Sequence, residues 1–231
     1  RRCVKAFFSH GFARINTDRA GQGLICLIRV HPCSSVANIL SNDLFDSGAL
    51  RLVEDGEGGV WYRPGFVDPE TAERWFAALR AGVEWQAQRR PMYDRVVDVP
   101  RLTAAYWLDR PGVPAVLHEA AALLRRELGE PFNAVGLNRY RDERDSVAPH
   151  GDKLHMLVPG HPVALLSLGA ARRMVIRAKP PLRQVQRLEL APGSLLVMSH
   201  ASQSTHEHGI PKLREPAAER ISLAFRVRPP R

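Results

Sequence analysis

PVALLSLGAARRMVIRAK, residues 162–179, reads as two short apolar runs parted at Gly169. Each run has the length of a strand and is bounded by turn residues. The pattern repeats on both sides: NAVGLNRY at 133–140, QRLELAPGSLLVMS at 186–199 and RISLAFRVR at 220–228. Turn signals every ~8–12 residues make everything after Phe132 all-β in character. Upstream the pattern differs. VWYRPGFVD, 60–68, reads as a short strand and turn, and Asp68-Pro69-Glu70 as a helix start: N-cap, Pro at N1, acid in the first turn. Ala72, Trp75, Phe76 and Leu79 follow at helical spacing until Gly82. A second helix is expected over 113–128, with Val113, Val116, Leu117, Ala120, Leu123 and Leu124 on one face and Gly129-Glu130-Pro131 as its stop. Strands behind a helical N-terminal part define an α+β chain, a β-sandwich or jelly roll supported by N-terminal helices.

Working outward, the 231 residues are 45% apolar, enough for one domain with a core. Residues 1–48 read differently from 49–231. They hold all three cysteines (Cys3, Cys26, Cys33) and a polar stretch, SSVANILSNDLFDSG, and show no sustained period. They are read as an extension, poorly ordered or a product of an assigned start at Arg1, with the globular part beginning near Leu52. An odd, clustered cysteine count argues against a disulfide framework and for a reducing cytoplasm. LICLI, 24–28, is too short for a signal core, and no stretch approaches a membrane span, so no membrane partner is expected. The net charge of +9 favours polyanionic partners, as Lys and Arg release counterions from phosphates; it equally suits a surface charged only for solubility.

The residues with chemistry are few. His150-Gly151-Asp152 sets an imidazole and a carboxylate two residues apart, on the same side of an extended chain. With a second His from a distant strand they would form the 2-His-1-carboxylate face of non-haem Fe(II) oxygenases, which leaves positions open for O₂ and a co-substrate. Alone, H-x-D is a weak signal, more often the pattern of a hydrogen-bonded loop. Near the C-terminus, Arg220 and Arg226 are six apart and share one strand face. Two inward arginines in an apolar strand are costly unless they meet an anion such as a dicarboxylate, which guanidinium forks bind well. A strand edge with solvated arginines would look the same.

Residues 132–226 resemble the AlkB family of Fe(II)- and 2-oxoglutarate-dependent dioxygenases. The elements that carry the resemblance are Asn138-Arg139-Tyr140, H-G-D-K at 150–153, S-L-G-A at 167–170, A-P-G-S-L-L-V-M at 191–198, H-G-I-P-K at 208–212 and R-x-S-x-x-F-R at 220–226, in family order and spacing. V-P-R-L at 99–102 is also similar. The resemblance implies a double-stranded β-helix (jelly roll) core. It implies Fe(II) held by His150, Asp152 and His208; a salt bridge from Arg220 to the far carboxylate of 2-oxoglutarate; and a co-substrate pocket completed by Asn138, Tyr140, Ser222 and Arg226. His208 is preferred over His206 because it precedes G-I-P and stands twelve residues before Arg220. His200 and His206 are assigned to the loop.

The resemblance further implies oxidative removal of N-methyl groups from nucleobases of the 1-methyladenine and 3-methylcytosine type, using O₂ and 2-oxoglutarate and releasing formaldehyde. A lesion that cannot pair is cheaper to extrude from the stack. The partner is then alkylated DNA, single-stranded, or RNA; the chain is expected to act as a monomer. Candidate phosphate contacts are Arg89, Arg90, Lys153, Arg172, Arg173, Arg177 and Lys179. One departure from the family is that VPRLTAAYWLDRPGVPAVL runs almost directly into the second helix, so the aromatic lid over the base looks shortened. Tyr93, Tyr106 and Trp107 are the aromatics left to stack a base, or equally to fill the core. The alternatives are the same oxygenase acting on tRNA, protein or a small molecule, and a non-catalytic basic nucleic-acid-binding protein.

Overall fold

The computed structural model describes residues 48–92 and 95–230, and the expectations for residues 1–47 and for Tyr93 lie outside them. Among the described residues the strands are β1 (Leu50–Val53), β2 (Val60–Arg63), β3 (Gln86–Met92), β4 (Arg95–Trp107), β5 (Ala134–Tyr140), β6 (Val147–His150), β7 (Val163–Gly169), β8 (Arg172–Ala178), β9 (Val185–Leu190), β10 (Leu195–Met198), β11 (His206–Ile210) and β12 (Arg220–Arg226). The helices are α1 (Pro69–Gly82), α2 (Ala115–Leu128) and α3 (His200–Thr205). The strands form a larger sheet, β1-β2-β10-β7-β12-β5-β4-β3, and a smaller one, β6-β11-β8-β9, with antiparallel pairing throughout. This is the jelly roll.

Strand alternation sorts the side chains into two cores. On β12, Ile221, Leu223 and Phe225 pack with Trp75 and Leu79 of α1 and Leu117 and Leu124 of α2. Between the sheets, Tyr62, Leu165 and Met198 meet Met174, Ile176 and Ile210. Each such buried large side chain contributes about 1.5–3 kcal/mol. The other face of β12, with Arg220, Ser222, Ala224 and Arg226, opens into a cavity of about 870 Å³ between the sheets. One strand thus anchors the hydrophobic core with its odd residues and lines the cavity with its even ones.

Asp68 caps α1 by accepting from the Thr71 N–H at 2.8 Å, with Pro69 at its first turn. The second helix begins at Ala115 rather than 113, because Pro114 occupies the N-cap; Gly129, at φ 70°, ends it in the left-handed region. The larger difference lies in between. Residues 86–107 form the β3–β4 hairpin inside the half of the chain read as helical. Arg89 and Pro91 on β3 and Asp98 and Pro100 on β4 disguise it; β3 is an edge strand, where charges and proline are tolerated, and β4 pairs with β5 only from Leu102 onward. V-P-R-L therefore sits within one thirteen-residue strand. The cavity wall there is the hairpin itself, through Gln86 and Gln88 of β3 and Val99, Thr103 and Ala105 of β4. No helix among the described residues is long and apolar enough to cross a membrane.

Candidate metal and co-substrate site

β6 and β11 pair so that His150 and His208 are register partners, with ring centroids 4.6 Å apart. Asp152 follows two residues after His150, and donor atoms of the three all lie within 4.8 Å of one another. His150 Nδ1 donates to the Ala148 carbonyl at 2.9 Å, which leaves Nε2 as its ligand atom. Burial first, then the charge of His150, pushes the His208 imidazole down to about 4, so it is neutral at pH 7. Burial alone would raise the Asp152 carboxyl. The Arg226 charge and hydrogen bond (Nε to Oδ2, 2.7 Å), helped by both histidines, hold it below the usual carboxylate range. Gly136, opposite Ala224 on β12, gives the Arg226 guanidinium room: a Cβ there would lie 3.2 Å from Nη1. Two imidazole nitrogens and one carboxylate are the donors Fe(II) takes.

A cationic pocket lies deeper on the same strand face. Arg220 is fully buried. Its Nη2 donates to Ser167 Oγ at 2.9 Å, and its guanidinium lies 5.2 Å from the Tyr140 ring centroid. Its Nε and Nη1 have no hydrogen-bond partner, although burial lowers its pKa. A buried guanidinium with two unspent donors facing a cavity fits a carboxylate. Asn138, register partner of Ser222, lines the same cavity and accepts from Arg101 Nε through Oδ1 at 2.7 Å, leaving its Nδ2 as a donor. The residues therefore fit both groups, a metal at the mouth and a dicarboxylate below it.

The structure brings together His150, Asp152 and His208, and below them Asn138, Tyr140, Arg220 and Ser222. Arg226 lines the same cavity and also donates to Asp152 Oδ2, so it joins the metal donor set to the co-substrate pocket. His206 stands outside the cluster, with Nδ1 2.9 Å from Thr205 Oγ1. Arg172 is corrected: it is buried, and its guanidinium donates to the carbonyls of Asp142, Asp145 and Pro211, so it is not available to a phosphate. Tyr106 is also corrected. It packs against the core under the helices, on the far side of the sheet from the cavity, and cannot stack a base there. Trp107 ends β4 opposite Ala134 and does not line the cavity. Arg177 pairs with Glu207 at 2.7 Å, Arg89 with Asp98 at 3.1 Å, and Lys179 Nζ donates to the Gln203 carbonyl. Lys153 is exposed and lines the cavity; Arg173 is exposed on β8. Sequence reading gave no role to Arg101, Ser167 or Gln203. Ser167 stands in S-L-G-A and Arg101 in V-P-R, so both carried a motif signal; Gln203 carried none.

A jelly roll with a 2-His-1-carboxylate cluster above a buried, unspent arginine defines an oxygenase of the non-haem iron class. A model described as the 2OG-Fe(II) oxygenase superfamily matches residues 108–226. The alpha-ketoglutarate-dependent dioxygenase alkB homolog 3 of Rattus norvegicus is 32% identical over 197 residues, covering 77% of this chain and 67% of the relative. Its Homo sapiens counterpart is 31% identical over 197 residues, covering 77% and 69%. The DNA oxidative demethylase ALKBH2 of Homo sapiens is 41% identical over 105 residues, 42% of this chain and 40% of that one. The chain belongs to the AlkB family within the 2OG-Fe(II) oxygenase superfamily. It is a dioxygenase whose cofactor is Fe(II) and whose co-substrates are 2-oxoglutarate and O₂.

Proposed function

We propose that this chain oxidatively demethylates alkylated bases, of the 1-methyladenine and 3-methylcytosine type, in nucleic acid. The observation that carries the reading is a single cavity of about 870 Å³ lined by His150, Asp152, His208 and Arg220. The name of one relative, a DNA oxidative demethylase, points the same way. When bound, iron, 2-oxoglutarate and O₂ would supply the oxidation of an N-methyl C–H bond, one oxygen atom going into succinate, formed with CO₂, and the other into the hydroxymethyl group that is released as formaldehyde.

The residues of the chain do the rest. His150 Nε2, a neutral His208 and one Asp152 oxygen would hold the metal. Arg226 keeps Asp152 ionised and aimed. Arg220 would take the far carboxylate of 2-oxoglutarate on Nε and Nη1, while Ser167 and the Tyr140 ring keep the guanidinium in place. Asn138 Nδ2 and Ser222 would complete that pocket. Lys153 at the mouth and Arg173 on β8 would meet phosphates. A single-stranded substrate fits a cavity wall made by one hairpin, since an unpaired base needs no extrusion from a duplex. The chain is read as a monomer in a reducing cytoplasm, the setting that its three cysteines favour. Residues 1–48 are read as an extension of a domain spanning 49–231.

The test is formaldehyde release from a panel of methylated single- and double-stranded DNA and RNA oligonucleotides, measured beside succinate formed without them. Formaldehyde in proportion to succinate is expected from methylated single strands. Succinate formation that no methylated nucleic acid stimulates would leave the oxygenase intact and overturn the substrate.

A further inference from the structure

Gln203 has no part in the roles above, yet it is buried, 3% exposed, and its side chain ends on the backbone of a proposed metal ligand. Its Oε1 accepts from the Asp152 N–H at 3.0 Å. Its Nε2 donates to Ser202 Oγ at 3.2 Å and to the Ser199 carbonyl at 3.4 Å. Both amide hydrogens are thus spent within α3, and this fixes the amide oxygen toward Asp152. The main chain of Gln203 presses on the same loop. A Cβ on Gly151 would lie 2.4 Å from the Gln203 carbonyl oxygen, so only glycine fits there. Lys179 Nζ holds that carbonyl at 3.2 Å. α3 is itself pinned: Ser199 caps it by accepting from Ser202 N–H, and Ser199 Oγ donates to Asp55 Oδ2 at 2.6 Å. Asp55 Oδ1 accepts the N–H groups of Glu57 and Gly59. A continuous run of hydrogen bonds joins the β1–β2 turn to Asp152.

We infer that Gln203 is a positioning residue that sets the backbone of the His150-Gly151-Asp152 loop for metal binding. Arg226 orients the Asp152 carboxylate from its far end; Gln203 fixes the peptide from which the side chain springs. With both constraints, the oxygen facing His150 and His208 is placed before the metal arrives, so little ordering entropy remains to be lost on binding. Without Gln203 the part-buried Asp152 N–H loses its acceptor, and the loop must shift to find one. The inference rests on the reading of His150, Asp152 and His208 as the ligands.

The test uses the metal-free protein titrated anaerobically with Co(II), followed by its d–d absorption, and urea unfolding of each variant. Gln203→Met keeps the volume and loses the acceptor; Gln203→Glu, kept protonated by burial, retains an acceptor toward Asp152 and one donor toward the Ser199 carbonyl. Gln203→Met is expected to weaken Co(II) binding about 10- to 100-fold and change the absorption band. Gln203→Glu is expected to stay within about threefold of wild type, as it retains the hydrogen bond. Asp152→Ala is expected to abolish binding. Wild-type affinity in Gln203→Met, with binding lost in Asp152→Ala, overturns the inference and leaves the ligand reading standing. Wild-type affinity in Asp152→Ala overturns the ligand reading instead. Should Gln203→Met lack a cooperative urea transition, Gln203→Glu carries the test, and loss of its Co(II) affinity overturns the inference.

Discussion

Arg220 and His208 show how burial prepares a side chain for a group that comes later. The guanidinium sits where water does not reach, with two donors unspent, a cost that an arriving carboxylate removes. Arg220→Ala is therefore expected to raise the KM for 2-oxoglutarate about 100-fold, the worth of a charge-assisted bidentate pair, while oligonucleotide affinity stays near wild type. Kinetics and a binding titration on the same variant check this, and equal losses in both would mean a damaged fold. Arg220→Lys, with charge but no fork, should recover little. His208 gives a pH signature. Its folded pKa, about 4, lies below the unfolded value near 6.5, so the unfolded chain binds the extra proton between those limits. The metal-free protein should thus be most stable above about pH 6.5 and lose on the order of 3 kcal/mol as pH falls to about 4. Asp152, whose folded pKa is also depressed, adds a loss that begins only near the ordinary carboxylate range. His208→Gln should flatten the upper part of that fall in urea unfolding measured against pH.

At the scale of elements, Arg172 separates what a strand pattern says from what it leaves out. RRMVIRA was legible as a strand, and its two leading arginines looked alike. Alternation turns Arg172 in and Arg173 out. Inside, Arg172 ties the β5–β6 turn, through Asp142 and Asp145, to Pro211 after β11, which clasps the connections on either side of the metal cluster. Arg172→Ala leaves those carbonyls without donors and opens a void, and should cost about 3 kcal/mol or more in chemical denaturation. Arg173→Ala should change stability by less than about 0.5 kcal/mol. The same contrast marks how far the sequence could be read. β5, β7, β8, β10 and β12 announced themselves as apolar runs, and α1 through Asp68-Pro69. The β3–β4 hairpin did not, since an edge strand carries the charges and prolines that sequence reading assigns to loops. β6 and β11 are short and polar because they carry His150 and His208: the demands of the site erased the apolar alternation that would have revealed them. Gln203 was silent for a further reason, as a hydrogen bond from a side chain to a backbone 51 residues away leaves no local pattern.

For the whole molecule the net charge of +9 is the quantity to refine, because its arginines are not equivalent. Arg220 and Arg172 are inside. Arg226 is spent on Asp152, Arg177 on Glu207, Arg141 on Asp145 and Arg89 on Asp98. Phosphate binding should draw on cations that are exposed and beside the cavity, and Lys153 meets both conditions. Each phosphate contact on a single strand contributes about 0.7 to the slope of log K against log salt, through released counterions. Lys153→Ala should therefore lower that slope by about 0.7 and weaken every sequence alike, with 2-oxoglutarate turnover in the absence of nucleic acid unchanged. Arg172→Met, which removes the same formal charge from the interior, should leave the slope where it was. The measurement is a fluorescence-anisotropy titration of a methylated single strand across a salt series for wild type and both variants. An unchanged slope in Lys153→Ala would mean that nucleic acid approaches from another side, and the exposed Arg173 face of the smaller sheet becomes the next surface to probe. A slope that falls in Arg172→Met would mean that the interior charge is felt at the surface, and net charge would regain the predictive weight that burial takes from it.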